Sequence, residues 1–164
     1  MLDQSYSVVF DDDGAGESAD VVAIRHAERE GAKEIDVAFY HCKFSKEKPG
    51  ARVDDLFVVC GQAQKSISWL FNQDKRTDLF QHLLKREPKR RLGVEATRFE
   101  RGSVTELMAF VEMSRLCRVN LCIYIVQPGM SKAQASTAQL DLLAATEHYL
   151  METCQVPFRV IGSE

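Results

Sequence analysis

The segment Asn120 to Val126, reading Asn-Leu-Cys-Ile-Tyr-Ile-Val, constrains the fold more tightly than any other stretch of this chain. It is a continuous apolar run of β-branched and aromatic residues, too short for a helix and suited to a strand covered on both faces. A strand of that kind is central to a sheet, and its neighbours in sequence must supply the covering layers. Before it, Ser103 opens a helix with Glu106 at the capping-box position, running to about Cys117. After it comes a loop or mobile flap, Gln127 to Gln139, which begins with Pro-Gly and is rich in Ser, Ala and Gln; the helix Leu140 to Cys154 and a last strand, Phe158 to Gly162, follow. Strands alternating with helices in this way give an α/β fold, a mixed β-sheet flanked by helices on both faces.

The first half supplies the remaining strands. Ser7 to Phe10 and Asp20 to Arg25 read as short strands separated by the acidic, glycine-containing segment Asp11 to Gly16, which continues neither one. Ile35 to Phe44 is a third strand, and period-two geometry puts Ile35, Val37, Phe39, His41 and Lys43 on one face. A loop, Lys46 to Ala51, leads into Val53 to Asn72, where Leu56, Val59, Cys60, Ala63, Ile67 and Leu70 recur at helical intervals. Thr77 to Lys85 is a further helix ended by Pro88, and Glu95 to Arg101 a short strand.

With 164 residues, 45% of them hydrophobic, the chain can bury one core, and residues 1–164 are read as a single domain. No apolar stretch approaches the roughly 20 residues needed to cross a bilayer. The five cysteines form no CxxC pair and sit in apolar or helical surroundings, which predicts buried thiols in a reducing cytoplasm and no structural zinc. A net charge of -3 does not advertise a polyanion ligand, but the signs are unevenly spread. Asp11, Asp12, Asp13, Glu17 and Asp20 crowd the start, whereas Lys85, Arg86, Lys89, Arg90 and Arg91, followed by Arg98 and Arg101, form a basic run. Such a run either tracks a phosphate backbone or is a solvated surface.

The residues that carry chemistry are an acid opening one strand, Asp20, and a lysine ending the next, Lys43. Phosphodiester hydrolysis needs a cation to neutralise developing charge and a water made nucleophilic near neutral pH. Carboxylates hold Mg2+, and a lysine orients water or steadies the phosphate. The plain structural reading is that Asp20 caps a turn and Lys43 is a solvated strand end.

The segment from Gly16 to Ile24, followed by Val37 to Ser45, resembles the core of the PD-(D/E)xK nuclease superfamily, the restriction-endonuclease-like fold. The resemblance implies that Asp20 is the first metal-binding acid and Lys43 the lysine, with His41 standing where the second acid normally does. Glu17 then becomes the substitute metal ligand. His41 could ligate through a neutral imidazole, which suits Mn2+ better than Mg2+. On the helix after the third strand, Gln62 is the residue implied to reach toward the site. More narrowly, His41 to Ser45, Pro49 to Leu56, Cys60 to Ser66, Ile125 to Gly129 and Leu142 to Thr146 resemble an accessory region at the C-terminal end of large bacterial DEAD/DEAH-box helicases with restriction-like roles. That implies a domain excised from a larger protein, with the parent's helicase domain and DNA as partners, a cytoplasmic setting, and a homodimer where two strands are cut. The alternative is a degenerate nucleic-acid-binding or docking module of a helicase, which has lost catalysis with its second acid. A third reading, a small-molecule enzyme using Cys42, His41 and Ser45, is opposed by strand geometry, because Cys42 and His41 point to opposite faces.

Overall fold

The computed structural model describes residues 5–44, 50, 52–71, 78–88 and 97–163. Along the chain run β1 (Val8–Asp11), β2 (Val21–Arg29), β3 (Ala32–Cys42), α1 (Asp54–Ser66), α2 (Ser68–Phe71) and α3 (Asp78–Arg86). They are followed by β4 (Phe99–Arg101), α4 (Val104–Met113), β5 (Arg118–Ser131), α5 (Thr137–His148) with a π-helical turn at Tyr149–Thr153, and β6 (Phe158–Ser163). Among the described residues the strands form one mixed six-stranded sheet in the order β4-β1-β2-β3-β5-β6, flanked by helices. The chain therefore has the α/β class expected of it.

β1 pairs antiparallel with both β2 and β4, and β5 pairs parallel with β6. Glu30 and Gly31 link β2 to β3 with φ values of 52° and 77°. Two successive positive φ angles make a type I′ turn, whose twist matches that of a right-twisted hairpin. Arg25 and Arg29 of β2 then reach the carboxylates of Asp36 and Glu34 on β3, and Asn120 of β5 donates to the same pair. Near the other end of β3, Tyr40 stacks on Tyr124 at 4.6 Å and the Lys43 amide donates to the Val126 carbonyl at 3.0 Å. The residue numbers rise together, so β5 runs parallel to β3.

The residues cluster into two compact units, 1–39 with 68–121 and 40–67 with 122–164. In the first, Val8, Phe10, Ile24, Ile35, Phe39, Phe80, Leu83, Leu107 and Phe110 are fully buried or nearly so. α3 packs on α4 there, and Phe99 meets Phe10 edge-on at 5.1 Å. In the second, Leu56, Val59, Ile123, Ile125 and Leu150 form the core, and α1 packs on α5. No helix among the described residues is long and apolar enough to cross a membrane.

Several boundaries differ from expectation. The helix expected over 53–72 is interrupted at Ile67, where α1 ends and α2 begins. The expected flap after Val126 is in part strand, because β5 continues to Ser131. Its register with β6 shifts between Gln127 and Ser131, and that irregularity is where the chain accommodates Pro128. β5 is also covered less evenly than expected: Leu121, Ile123 and Ile125 are buried while Cys122, Tyr124 and Val126 between them are half-buried. Only Cys60 among the cysteines is buried; Cys117, Cys122 and Cys154 are half-buried and Cys42 is exposed. Most of the loop Lys46 to Ala51 and the start of the strand expected from Glu95 lie outside the described residues.

Candidate functional site

The connection from β1 to β2 carries the acidic run. Its base is closed by the Asp12 amide, which donates to the Asp20 carbonyl at 3.0 Å. Within it, the Glu17 amide donates to the Gly14 carbonyl at 3.0 Å and the Gly14 amide donates to Glu17 Oε2 at 2.8 Å. Gly14 and Gly16 have φ values of 123° and 82°, and the first in particular is a backbone conformation that only glycine adopts readily. The loop coils tightly and returns through Ser18 and Ala19, both buried, into β2.

That coil divides the acids by role. Asp12 points inward and is fully buried. Its Oδ2 accepts hydrogen bonds at 2.7 Å from both the amide and the hydroxyl of Ser18. His82 Nε2 lies 3.5 Å away, and Arg86 Nε pairs with Oδ1. Burial pushes the Asp12 carboxyl upward, but the bonds from His82 and Ser18 and the Arg86 charge outweigh it and hold it below its ordinary value. Asp13, Glu17 and Asp20 lie elsewhere on the loop: one oxygen from each falls within 4.8 Å of the others. Asp13 is exposed, and Glu17 and Asp20 are half-buried. Partial burial raises the Glu17 carboxyl above its ordinary value; the Gly14 amide opposes this, and the charges of Asp20, Asp13 and Asp12 add to it. Three converging carboxylates are a set of hard oxygen donors of the kind Mg2+ and Mn2+ take, so the residues present fit such an ion.

Of the residues proposed from sequence, Asp20 and Glu17 are thus brought together, and Asp13 joins them. Asp13 had no distinguishing signal, since its place depends on how two glycines coil the loop rather than on any strand or helix period.

His41 is buried at the end of β3, with Nε2 3.1 Å from Ser66 Oγ at the end of α1. The Ser66 hydroxyl spends its proton on the Ala63 carbonyl at 2.8 Å, so Nε2 is the donor between them. Nδ1 is buried and has no hydrogen-bond partner among the described residues. Burial lowers the His41 pKa to about 4, and the ring is neutral near pH 7. Lys43 follows β3, half-buried, and belongs with His41 to the second unit, whereas Asp20 belongs to the first. Gln62 is half-buried on α1 and Gln64 exposed.

The basic run is not one surface. Lys85 is exposed, but Arg86, expected to contact nucleic acid, is turned inward. Its Nη2 donates to the Asp12 carbonyl at 2.6 Å and the Asp13 carbonyl at 3.3 Å, and its Nη1 to the Ala15 carbonyl at 2.8 Å. Leu79, Leu83 and Arg86 recur at helical spacing on the buried side of α3, a signal that charge counting overlooks. Arg98 is likewise buried, donating to the carbonyls of Asp11 at 2.8 Å and Asp13 at 3.3 Å. Lys89, Arg90 and Arg91 lie outside the described residues. No family model, curated protein or solved structure matches the chain.

Proposed function

We propose that this chain is a divalent-cation-dependent nuclease that hydrolyses phosphodiester bonds of DNA in a restriction-type system. The observation that carries the reading is the convergence of Asp13, Glu17 and Asp20 at the entry to β2, with oxygens within 4.8 Å of one another. Three carboxylates held this close repel one another, and a cation converts that repulsion into binding. Mg2+ or Mn2+ bound there would neutralise charge on a phosphate and make a water more acidic. The chain's own residues would hold the ion through Asp20, Glu17 and Asp13; that Lys43 steadies the phosphate or the water is carried by the resemblance to PD-(D/E)xK nucleases alone. A helicase partner in the cytoplasm and a homodimer for two-strand cutting belong to the same reading.

A second reading, a nucleic-acid-binding or docking module without catalysis, is favoured by one observation. His41, at the position where the resembling nucleases carry their second acid, is buried and bonded to Ser66.

Cleavage of plasmid and single-stranded DNA in Mg2+ or Mn2+, against EDTA and against Asp20→Ala and Lys43→Ala, separates the two. Metal-dependent cutting lost in both variants is the expected result. DNA binding that survives chelation with no cutting by the unaltered chain would replace the nuclease by the docking module.

A further inference from the structure

Where β3 and β5 lie side by side in the sheet, a cavity of about 150 Å3 opens between them and the helices α2 and α3, and all of its lining residues belong to the first of the two units. Val37 and Phe39 of β3 share one face of their strand by period two, and with Leu121 of β5 they form a buried floor. Trp69 of α2 and Leu79 of α3 line the helical side. The Trp69 ring packs on His82 at 4.7 Å, and His82 in turn lies 3.5 Å from the buried Asp12 carboxylate, so the indole is tied to α3.

A close-packed interior leaves few voids of this size, and water occupies one only where two to four polar partners receive it. The side chains here supply few. The Trp69 indole N–H has no hydrogen-bond partner among the described residues, and Arg118, the exposed first residue of β5, is the cavity's one charged group. Arg25 and Arg29 pair with Asp36 and Glu34, whereas Arg118 acts on Glu34 through its charge alone and makes no hydrogen bond or ion pair among the described residues. Three guanidinium groups thus face two carboxylates, and Arg118 is the surplus cation. Both polar side chains are donors and neither accepts, which fits a ligand whose polar end carries only lone pairs.

We propose that this cavity binds a small hydrophobic carboxylate, with a single aromatic ring held among Val37, Phe39, Leu79 and Leu121 and the carboxylate received by Arg118. Apolar cavities of about 150 Å3 accept a benzene ring. A planar guanidinium presents paired N–H groups to both oxygens of a carboxylate. The site stands apart from the acidic loop: none of Asp13, Glu17, Asp20 and Lys43 lines it, so the metal reading and this one fail or succeed separately.

The test adds phenylacetate to the full chain. Trp69 is its single tryptophan, so intrinsic fluorescence reads this cavity directly. A saturable change in emission is expected, together with a melting temperature that rises with phenylacetate concentration. Arg118→Gln, at an exposed position, should keep the fold and weaken phenylacetate binding by about tenfold or more, the scale for losing one hydrogen bond to a charged group. Phenylacetamide, of the same shape but uncharged, should bind the natural chain more weakly and lose little in Arg118→Gln. Val119→Phe, which fills the cavity from β5, should abolish binding of both; were it not to fold, the comparison at Arg118 decides. No saturable response to phenylacetate would overturn the proposal. So would equal binding of phenylacetate and phenylacetamide, or phenylacetate binding that Arg118→Gln leaves unaltered, since either makes the cavity an apolar void without a carboxylate site. Binding that survives in folded Val119→Phe would place the ligand elsewhere and overturn it as well.

Discussion

Acidifying the protein from pH 7.5 to pH 5 should cost it about 2 kcal/mol of stability through His41 alone, and the number follows from that residue's surroundings. In an unfolded chain its imidazole takes up a proton near pH 6.5; in the fold, burial delays this to about 4. The direction of effect is fixed by these two values. Above pH 6.5 both states are neutral at this site and the native state carries no penalty. As the pH falls below 6.5 the unfolded chain gains a proton that the native ring refuses, so stability is lost progressively until about pH 4. At 1.36 kcal/mol per pH unit, the loss reaches about 2 kcal/mol by pH 5 and tends to about 3 kcal/mol below pH 4. The structural reason is plain: Nε2 already carries the proton it gives to Ser66, and a second proton would sit on buried Nδ1, which has no hydrogen-bond partner among the described residues. Urea unfolding at a series of pH values, comparing the natural chain with His41→Gln, isolates this contribution because the other histidines cancel. The two stability curves should converge or cross as the pH falls, with the natural chain losing about 2 kcal/mol more between pH 7.5 and pH 5. Curves that run parallel over that interval would refute the reasoning, as would a nitrogen NMR titration showing His41 protonated near its ordinary pKa.

Two further outcomes are expected. Protons and cations compete for Glu17, whose carboxyl is raised by burial and by its acidic neighbours, so Mn2+ affinity measured by calorimetry should decline as the pH falls through that raised value; Glu17→Gln should flatten this part of the profile, and an unchanged profile would remove Glu17 from the ligand set. Gly102→Ala should destabilise the protein by about 2 kcal/mol or more, since φ is 86° there and an added Cβ would lie 2.8 Å from the Ser7 carbonyl oxygen; an unaltered thermal midpoint would show that β4 does not approach β1 so closely.

The sequence made the strands and helices legible wherever local periodicity was not overridden. The run Val21 to Ile24, the third strand and the apolar stretch in β5 each matched an element, because runs rich in β-branched and aromatic residues bounded by turn signals mark strands even where consecutive side chains are buried, as Val22 to Ile24 and Val37 to His41 are. Element ends were less legible. Pro128 and Gly129 read as a break, yet β5 passes through them, since the Gly129 amide is satisfied by Gln127 Oε1 and Ser163 Oγ donates to the Pro128 carbonyl. The start of α5 was placed late because its apolar residues misled: Leu140 is exposed, whereas Gln139 is buried and bonded to the carbonyls of Gly50 and Arg52. The pair Ser136 and Gln139 is a capping box that marks the true start. At the site, the closeness of Glu17 to Asp20 followed from their nearness in sequence. The inward turn of Arg86 did not, because a count of charges along a chain contains no information about which side of a helix is covered.

The parallel pairing of β3 with β5 has a consequence for synthesis. The Lys43 amide bonds to a carbonyl at Val126, about 80 residues farther along the chain. A ribosome adding 5–20 residues per second needs roughly 4 to 17 s to make that stretch. During this interval β1, β2 and β3 can already form their antiparallel meander, but the outer side of β3 has no strand to receive it. The nascent protein thus passes through a period of seconds in which a long, largely apolar strand offers a bare edge, the condition under which strands from neighbouring chains pair wrongly. The span between β3 and β5 measures how long that exposure lasts.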